Sequence, residues 1–425
     1  MKKRFCFRRG RGVAYNNPKP PECSNNNDST IMKSPYFYKL VINRFLVGCV
    51  LVSIGILLAE SSGGWDITNH LLNKPETFFS PPHIILYSGI TVAIIGATIM
   101  FLRWRSYSTY VVSSRKGERN LELDLSIKFV ITGVSMLILA GPLDFFWHSA
   151  FGLDGLLSPP HLILTIGMFA GSIGALIGIT SYILINSSTS QEKRQNNNNN
   201  NNNNNIDNFK NNERIAISIY TTLTIIGILP IWMSSSGLIY MFSLPFSDTE
   251  YYNFNLEPMT AATIATISFP FLISFILVLL FKLTTEIGNK KRKFGAISVT
   301  GSIFIIIAIV TMMIPNKSLI PTIPFYVLNI IPIIIADIFL SKLPLKRMFI
   351  YTSGGILGSS FFMLYYPMIT HIYNEVLSNQ PVWPSLTAPI YFDMITQIYP
   401  LVVLPAVGVG ILGTIVSNRL INRKN

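Results

Sequence analysis

The chain is 425 residues long, half of them apolar and only 12% charged, with a formal net charge of +13. Apolar runs of about 20 residues are the length that crosses a hydrocarbon core as helix, so the composition excludes a soluble fold and predicts an all-α, polytopic transmembrane bundle. The excess Lys and Arg falls in alternate loops between those runs, a pattern set by membrane topology and not a nucleic-acid footprint; the partner it implies is the lipid bilayer.

Residues 1–39 are basic, polar and free of an apolar stretch near the start, which predicts a disordered cytoplasmic tail and no cleavable signal. Cys6, Cys23 and Cys49 lie in that tail and the first span, so no disulfide framework is expected. A four-span unit follows over 40–186. Its first span, at about 40–60, is expected to break at Ser61-Ser62-Gly63-Gly64, and Trp65 to mark the far membrane face. Spans two and three are expected at about 83–102 and 125–141, the third ended by Gly141-Pro142, and span four at about 161–185. The glycines at 167, 171, 174 and 178 suit close helix approach in that last span. Residues 187–213, with unbroken Asn from 196 to 205, read as a disordered linker. A six-span unit occupies 214–418, with spans at about 215–237, 258–281, 294–314, 324–340, 348–366 and 395–417, and 419–425 is a short basic tail. Asp337 in the eighth span, with Lys342 towards the cytoplasm, is expected near the interface and not in a proton relay.

In this ten-span arrangement all 33 Lys and Arg except Lys74 and Lys317 lie in or near one set of segments. That places both termini in the cytoplasm of a cell-membrane protein. The five histidines, His70, His83, His148, His161 and His371, all fall at the opposite, extracytoplasmic face.

Four of those histidines belong to a repeat. Residues 66–83 read DITNHLLNKPETFFSPPH and residues 144–161 read DFFWHSAFGLDGLLSPPH. Both keep an Asp (Asp66, Asp144), a His four residues on (His70, His148), an acidic residue (Glu76, Asp154) and a closing Ser-Pro-Pro-His (His83, His161). Asp and His four apart share one helix face. In Ser-Pro-Pro-His the Ser can N-cap, the prolines can fill the first turn, and the His then projects from the start of the next helix. Two imidazoles and a carboxylate with room for a further ligand suit copper, zinc or iron. Glu76 and Asp154 are then the expected partners of an imidazole N–H. The competing reading is a polar cap in which Asp and His only hydrogen-bond each other. His371, with Glu375 one turn later, is a possible extra ligand or an ordinary loop histidine.

The second repeat, with Asp144, Trp147, His148, Asp154, Ser158, Pro159 and His161, resembles the motif of the metal-binding membrane subunit of particulate methane monooxygenase and ammonia monooxygenase. The first repeat matches through Asp66, His70, Glu76, Phe79, Ser80, Pro81 and His83 but has Asn69 where the motif has Trp. The resemblance covers about residues 40–167. It implies copper held by Asp66, His70 and His83 and by Asp144, His148 and His161, within a helical bundle near its extracytoplasmic side. It also implies membership of a multi-subunit membrane oxidoreductase.

Three functional readings stay open at this stage: a copper-dependent, monooxygenase-like membrane enzyme or a subunit of one; a protein that takes up or stores copper, or a multi-span transporter; and a structural subunit whose partner carries the chemistry. Six ligands on two successive hairpins can form one dinuclear or two mononuclear sites. No nucleotide-binding motif, nucleophile elbow or haem-attachment motif is present.

Overall fold

The computed structural model describes residues 35–71, 77, 79–111, 120–152, 156–197, 206–244, 253–287, 294–315, 320, 323–343, 346–376 and 388–422. The elements among them are helical: α1 (Pro35–Leu71), α2 (Pro81–Val111), α3 (Asn120–Phe151), α4 (Pro159–Asn197), α5 (Ile206–Ser243), α6 (Pro258–Ile287), α7 (Ala296–Ala308), α8 (Ile323–Val327), α9 (Ile330–Lys342), α10 (Arg347–Val376) and α11 (Ala388–Asn422), with a π-helical turn, Ile309–Met313, continuing α7. Among the described residues, eight segments are long and apolar enough to cross a membrane, from Asn43–Asn69 in α1 to Val403–Leu420 in α11. The chain is therefore an all-α, multi-span helical bundle.

Three expected boundaries move. α1 does not break at Ser61–Gly64 but runs on to Leu71, and α3 carries Pro142 inside it and runs on to Phe151. A backbone in hydrocarbon has no water to satisfy its polar groups, so helix persists where soluble-protein rules predict a stop. Side chains support the stretch locally: Ser61 Oγ donates to Leu57 O at 2.6 Å, Thr68 Oγ1 to Gly64 O at 2.7 Å, and the Ser62 hydroxyl to Pro82 O. The third change is at the expected eighth span, which a turn at Leu328–Asn329 divides into α8 and α9. There Asn329 Nδ2 donates to Tyr326 O at 2.9 Å. The expected ninth span lies within α10, whose side chains are described to Phe361. Of the expected linker, only 198–205 falls between α4 and α5 and outside the described residues.

α1 with α2 and α3 with α4 form two antiparallel hairpins, and each closes on glycine. A Cβ on Gly55 would stand 2.5 Å from Gly89 O, and one on Gly133 would stand 2.5 Å from Gly167 O. The displacement that carries Asp66 onto Asp144 also carries Gly55 onto Gly133, Gly89 onto Gly167 and Gly96 onto Gly174. The duplication therefore runs through the membrane helices and is not confined to the loop motif. Cys49, Val52, Ile56, Ala93, Ile127, Val130, Leu137 and Ile179 form the core these four helices share. A second core gathers Trp232, Phe269, Phe281, Phe304, Ile333, Leu357 and Phe361 from α5 to α10, with Trp232 stacked on Phe304 at 4.2 Å. α5 packs on both α1 and α4 and so joins the two halves.

Asp337 has a structural task. Its Oδ2 accepts hydrogen bonds from Gly295 N (3.0 Å), Ser298 N (2.9 Å) and Ser298 Oγ (2.7 Å). α7 starts after a glycine with φ 103° and no capping side chain of its own. α9 thus supplies the N-cap that α7 lacks. Lys342 places its ammonium 5.4 Å from the centre of the Phe294 ring.

Candidate metal centre

The helices that continue past their expected ends are what carry the first halves of the repeats. Asp66 is near the C-terminus of α1 and Asp144 near that of α3, while His83 and His161 lie in the first turns of α2 and α4. Each hairpin therefore returns its second histidine to the level of its own aspartate. The Ser-Pro-Pro starts behave as the sequence predicts in outline and differ in detail. Ser158 Oγ accepts from His161 N at 3.5 Å, whereas Ser80 Oγ accepts from Thr77 N at 2.7 Å.

In the second copy Asp144 Oδ1 lies 3.4 Å from His148 Nε2 and 3.2 Å from His161 Nε2. The three ligand atoms lie within 4.8 Å of one another. Charge-assisted N–H···O bonds run at about 2.7–2.9 Å, and Asp144 Oδ1 is buried and accepts no hydrogen bond of good geometry. Two ligands about 2.05 Å from a tetrahedral ion stand about 3.3 Å apart. The separations around Asp144 match that edge better than they match direct hydrogen bonds.

The tautomer of His148 is set by the backbone. Gly152, at φ 77°, ends α3 with its N–H donating to His148 O at 3.0 Å, and its carbonyl lies 3.1 Å from His148 Nδ1. A carbonyl only accepts, so Nδ1 carries the proton, and whenever the ring is neutral its Nε2 lone pair is the one turned towards Asp144. His161 closes the group from α4, its ring centre 6.0 Å from that of His148. Trp147 packs at a tilt against Phe151 at 4.5 Å and Phe254 at 5.9 Å, beside His148 at the end of the helix.

The first copy is built from the same parts and is drawn tighter. His83 Nδ1 lies 2.9 Å from Thr77 O, and Nε2 lies 2.8 Å from Asp66 Oδ1. Both neighbours of the ring are acceptors, so the Asp66–His83 contact is an ion pair when the ring is protonated. At Trp147's position stands Asn69, buried. The side chain of His70 lies outside the described residues, as do Glu76, Asp154 and the side chain of His371. Where the sequence assigns carboxylates to the imidazole N–H groups, Thr77 O and Gly152 O take that place at His83 and His148.

Both copies open onto one cavity of about 200 Å³ lying between the two halves of the chain. Asp66, His83, Asp144 and His161 all line it. Tyr87 lines the same cavity, within electrostatic reach of both carboxylates and with its ring centre 6.1 Å from that of His83. Gly63 and Gly141, each one turn before its aspartate, have open space where a side chain would stand. The remaining wall is mostly apolar, and it includes Met312 and Met313 from the π turn. π turns frequently accompany functional sites.

Sequence reasoning missed Tyr87, Glu60 and the π turn as parts of this wall. For Glu60 the signal was available, since a carboxylate inside an apolar run is a functional candidate; reading Gly63-Gly64 as the end of the span hid it. Nothing in the sequence marks the π turn. No protein-family model, curated protein or solved structure matches this chain.

Proposed function

We propose that this multi-span membrane protein binds a transition-metal ion through Asp144, His148 and His161, and that copper is the ion it takes. The observation that carries the reading is the placing of two imidazole Nε2 atoms at 3.2 and 3.4 Å from one buried carboxylate oxygen. Two neutral imidazoles and one carboxylate suit copper, with zinc and iron as the competing ions for the same donors. Asp66 and His83 on the same cavity, with His70 four residues after Asp66 in the sequence, are the second, duplicated ligand set. Its Asp66–His83 bridge must open before an ion enters, which makes it the weaker of the two. The distribution of Lys and Arg supports an extracytoplasmic position for both.

In this reading the chain's own groups do three things. The Gly152 carbonyl keeps His148 in the tautomer that offers Nε2, α4 brings His161 to the aspartate of α3, and the apolar wall limits water around the ion. A bound copper ion with an open position supplies Lewis-acid and redox chemistry to whatever enters the cavity. That cavity, together with the resemblance of the repeats to the metal-binding membrane subunit of the methane and ammonia monooxygenases, favours a divergent oxidoreductase subunit. Metal uptake or storage at the same ligands is the second reading, favoured by the duplication, which gives one chain two copies of the ligand motif.

Elemental analysis of the detergent-purified chain tests the site, with one or two ions per chain expected and loss of the tighter one in His148→Ala plus His161→Ala. Undiminished metal in that variant refutes the assignment. Substrate-dependent oxygen consumption by the loaded protein separates the enzyme from the metal-handling protein.

A further inference from the structure

Glu60 is the one charged side chain of the described cavity wall that neither metal site uses. It stands on the face of α1 that also presents Gly63, Gly64 and Ile67 to the cavity. Six residues of helix, about 9 Å of rise, separate it from Asp66. Its Oε1 is buried and has no hydrogen-bond partner, and the Cβ-less Gly237 of α5 lies beside its Oε2. The duplication does not explain it, because the same displacement that pairs Asp66 with Asp144 places Ile138 at the matching position of α3.

The charges around it are lopsided. From α1 to α4 the wall presents Asp66, then His83 and Tyr87, then Asp144, then His161. Tyr240 of α5 and Tyr326 of α8 face the cavity from the other half, and α7 with its π turn adds no titratable group to the wall. Among the described lining residues there is no Lys or Arg. Glu60 is thus a carboxyl with a buried, unbonded oxygen in a mostly apolar cavity that it shares with Asp66 and Asp144 and that no described Lys or Arg lines. Both conditions favour the neutral, protonated acid, because a buried unpaired charge is costly and neighbouring like charges raise that cost.

We propose that Glu60 is the proton-binding residue of this cavity, holding a proton while the Asp144 cluster is without metal and giving it up when a metal cation arrives there. The proposal rests on the metal reading above for its second half only. The step is a simple exchange: the O–H bond of Glu60 breaks, the carboxylate remains, and the proton leaves to solvent. Glu60 and the Asp144 cluster line one mostly apolar cavity, so a divalent charge at the cluster favours the ionised carboxyl and weakens its hold on the proton.

The test uses the full-length chain in detergent and Cu(II) as the probe. Metal is titrated into weakly buffered protein, and the protons released are counted for the unmodified protein and for Glu60→Gln. The expected result is equal copper per chain and a release smaller in Glu60→Gln by a large fraction of one proton. Equal copper with equal release overturns the proposal. Infrared difference spectra give the second readout: the protonated-carboxyl carbonyl band of the metal-free protein disappears on loading and is missing from Glu60→Gln. If no copper binds, the metal reading fails by itself, and the metal-free spectrum still decides whether Glu60 is protonated at neutral pH; a missing band overturns that half. If Glu60→Gln does not fold, the pH midpoint of the band in the unmodified protein decides, and a midpoint unmoved by copper overturns the coupling.

Discussion

Gly152→Ala perturbs the candidate centre without touching a ligand. Gly152 sits at φ 77°, and a Cβ there would meet nothing within 4 Å, so the substitution is penalised by backbone conformation and not by crowding. A left-handed conformation costs a residue with a Cβ about 1–2 kcal/mol. The substituted residue can relieve that cost only by leaving the conformation, which carries away the carbonyl that lies 3.1 Å from His148 Nδ1. His148 then loses both its tautomer and its ring orientation. Loss of such an outer hydrogen bond typically lowers metal affinity 10–100-fold, or about 1.4–2.7 kcal/mol. Competition against a chelator of known affinity measures the change, and thermal unfolding should move only slightly because the residue is exposed at a helix end. Gly152→Asn, which tolerates positive φ, should retain most of the affinity. Unchanged affinity in Gly152→Ala, or an equal loss in both variants, shows that this carbonyl does not orient a ligand.

Gly133→Ala should destabilise the α3–α4 hairpin by about 1–3 kcal/mol through overpacking, since its Cβ would stand 2.5 Å from the Gly167 and Gly171 backbone. Gly141→Ala on the same helix, with open space at that position, should unfold at the unmodified temperature. Asp337→Ala should cost about 1–2 kcal/mol through the lost α7 cap, and hydrogen exchange should quicken first at the Gly295 and Ser298 amides it now holds. Glu257, ahead of α6, accepts the Thr260 N–H at 2.9 Å, and the backbone amides of Thr260 and Met259 hold its carboxyl below the ordinary range. A lowered folded value means that its stabilisation is present above the unfolded pKa and lost as pH falls through the folded one. The stability gap between the unmodified chain and Glu257→Gln should therefore close in acid and stay constant from neutral pH upwards.

The helical bundle was legible because burial in lipid forces long apolar runs, and most of those runs became single helices. What sequence reading misplaced was where helices stop. Ser61–Gly64 and Gly141-Pro142 are strong breakers in water, yet in hydrocarbon the alternative is unsatisfied backbone, so α1 and α3 pass through them. Asn329 shows the reverse case, a turn inside an apolar run, tolerated where the Asn side chain bonds Tyr326 O. The Asp-His and Ser-Pro-Pro-His spacings correctly placed Asp144, His148 and His161 together, because helix periodicity and helix starts are local. That the two copies differ was only hinted at by Asn69 against Trp147. The 2.8 Å bridge in one copy and the 3.2–3.4 Å separations in the other depend on tertiary positions that no spacing encodes. Asp337 likewise showed an intramembrane carboxylate, but its role as a cap borrowed by another helix required the packing of α9 on α7.

If the second copy is the preformed metal centre and the first is closed by its own ion pair, the two aspartates differ in what they hold. Copper per chain at sub-stoichiometric chelator, compared between Asp144→Asn and Asp66→Asn, separates them. Asp144→Asn should lose the tightly held ion, and Asp66→Asn should keep it. Retention in Asp144→Asn, or loss from Asp66→Asn alone, contradicts that assignment.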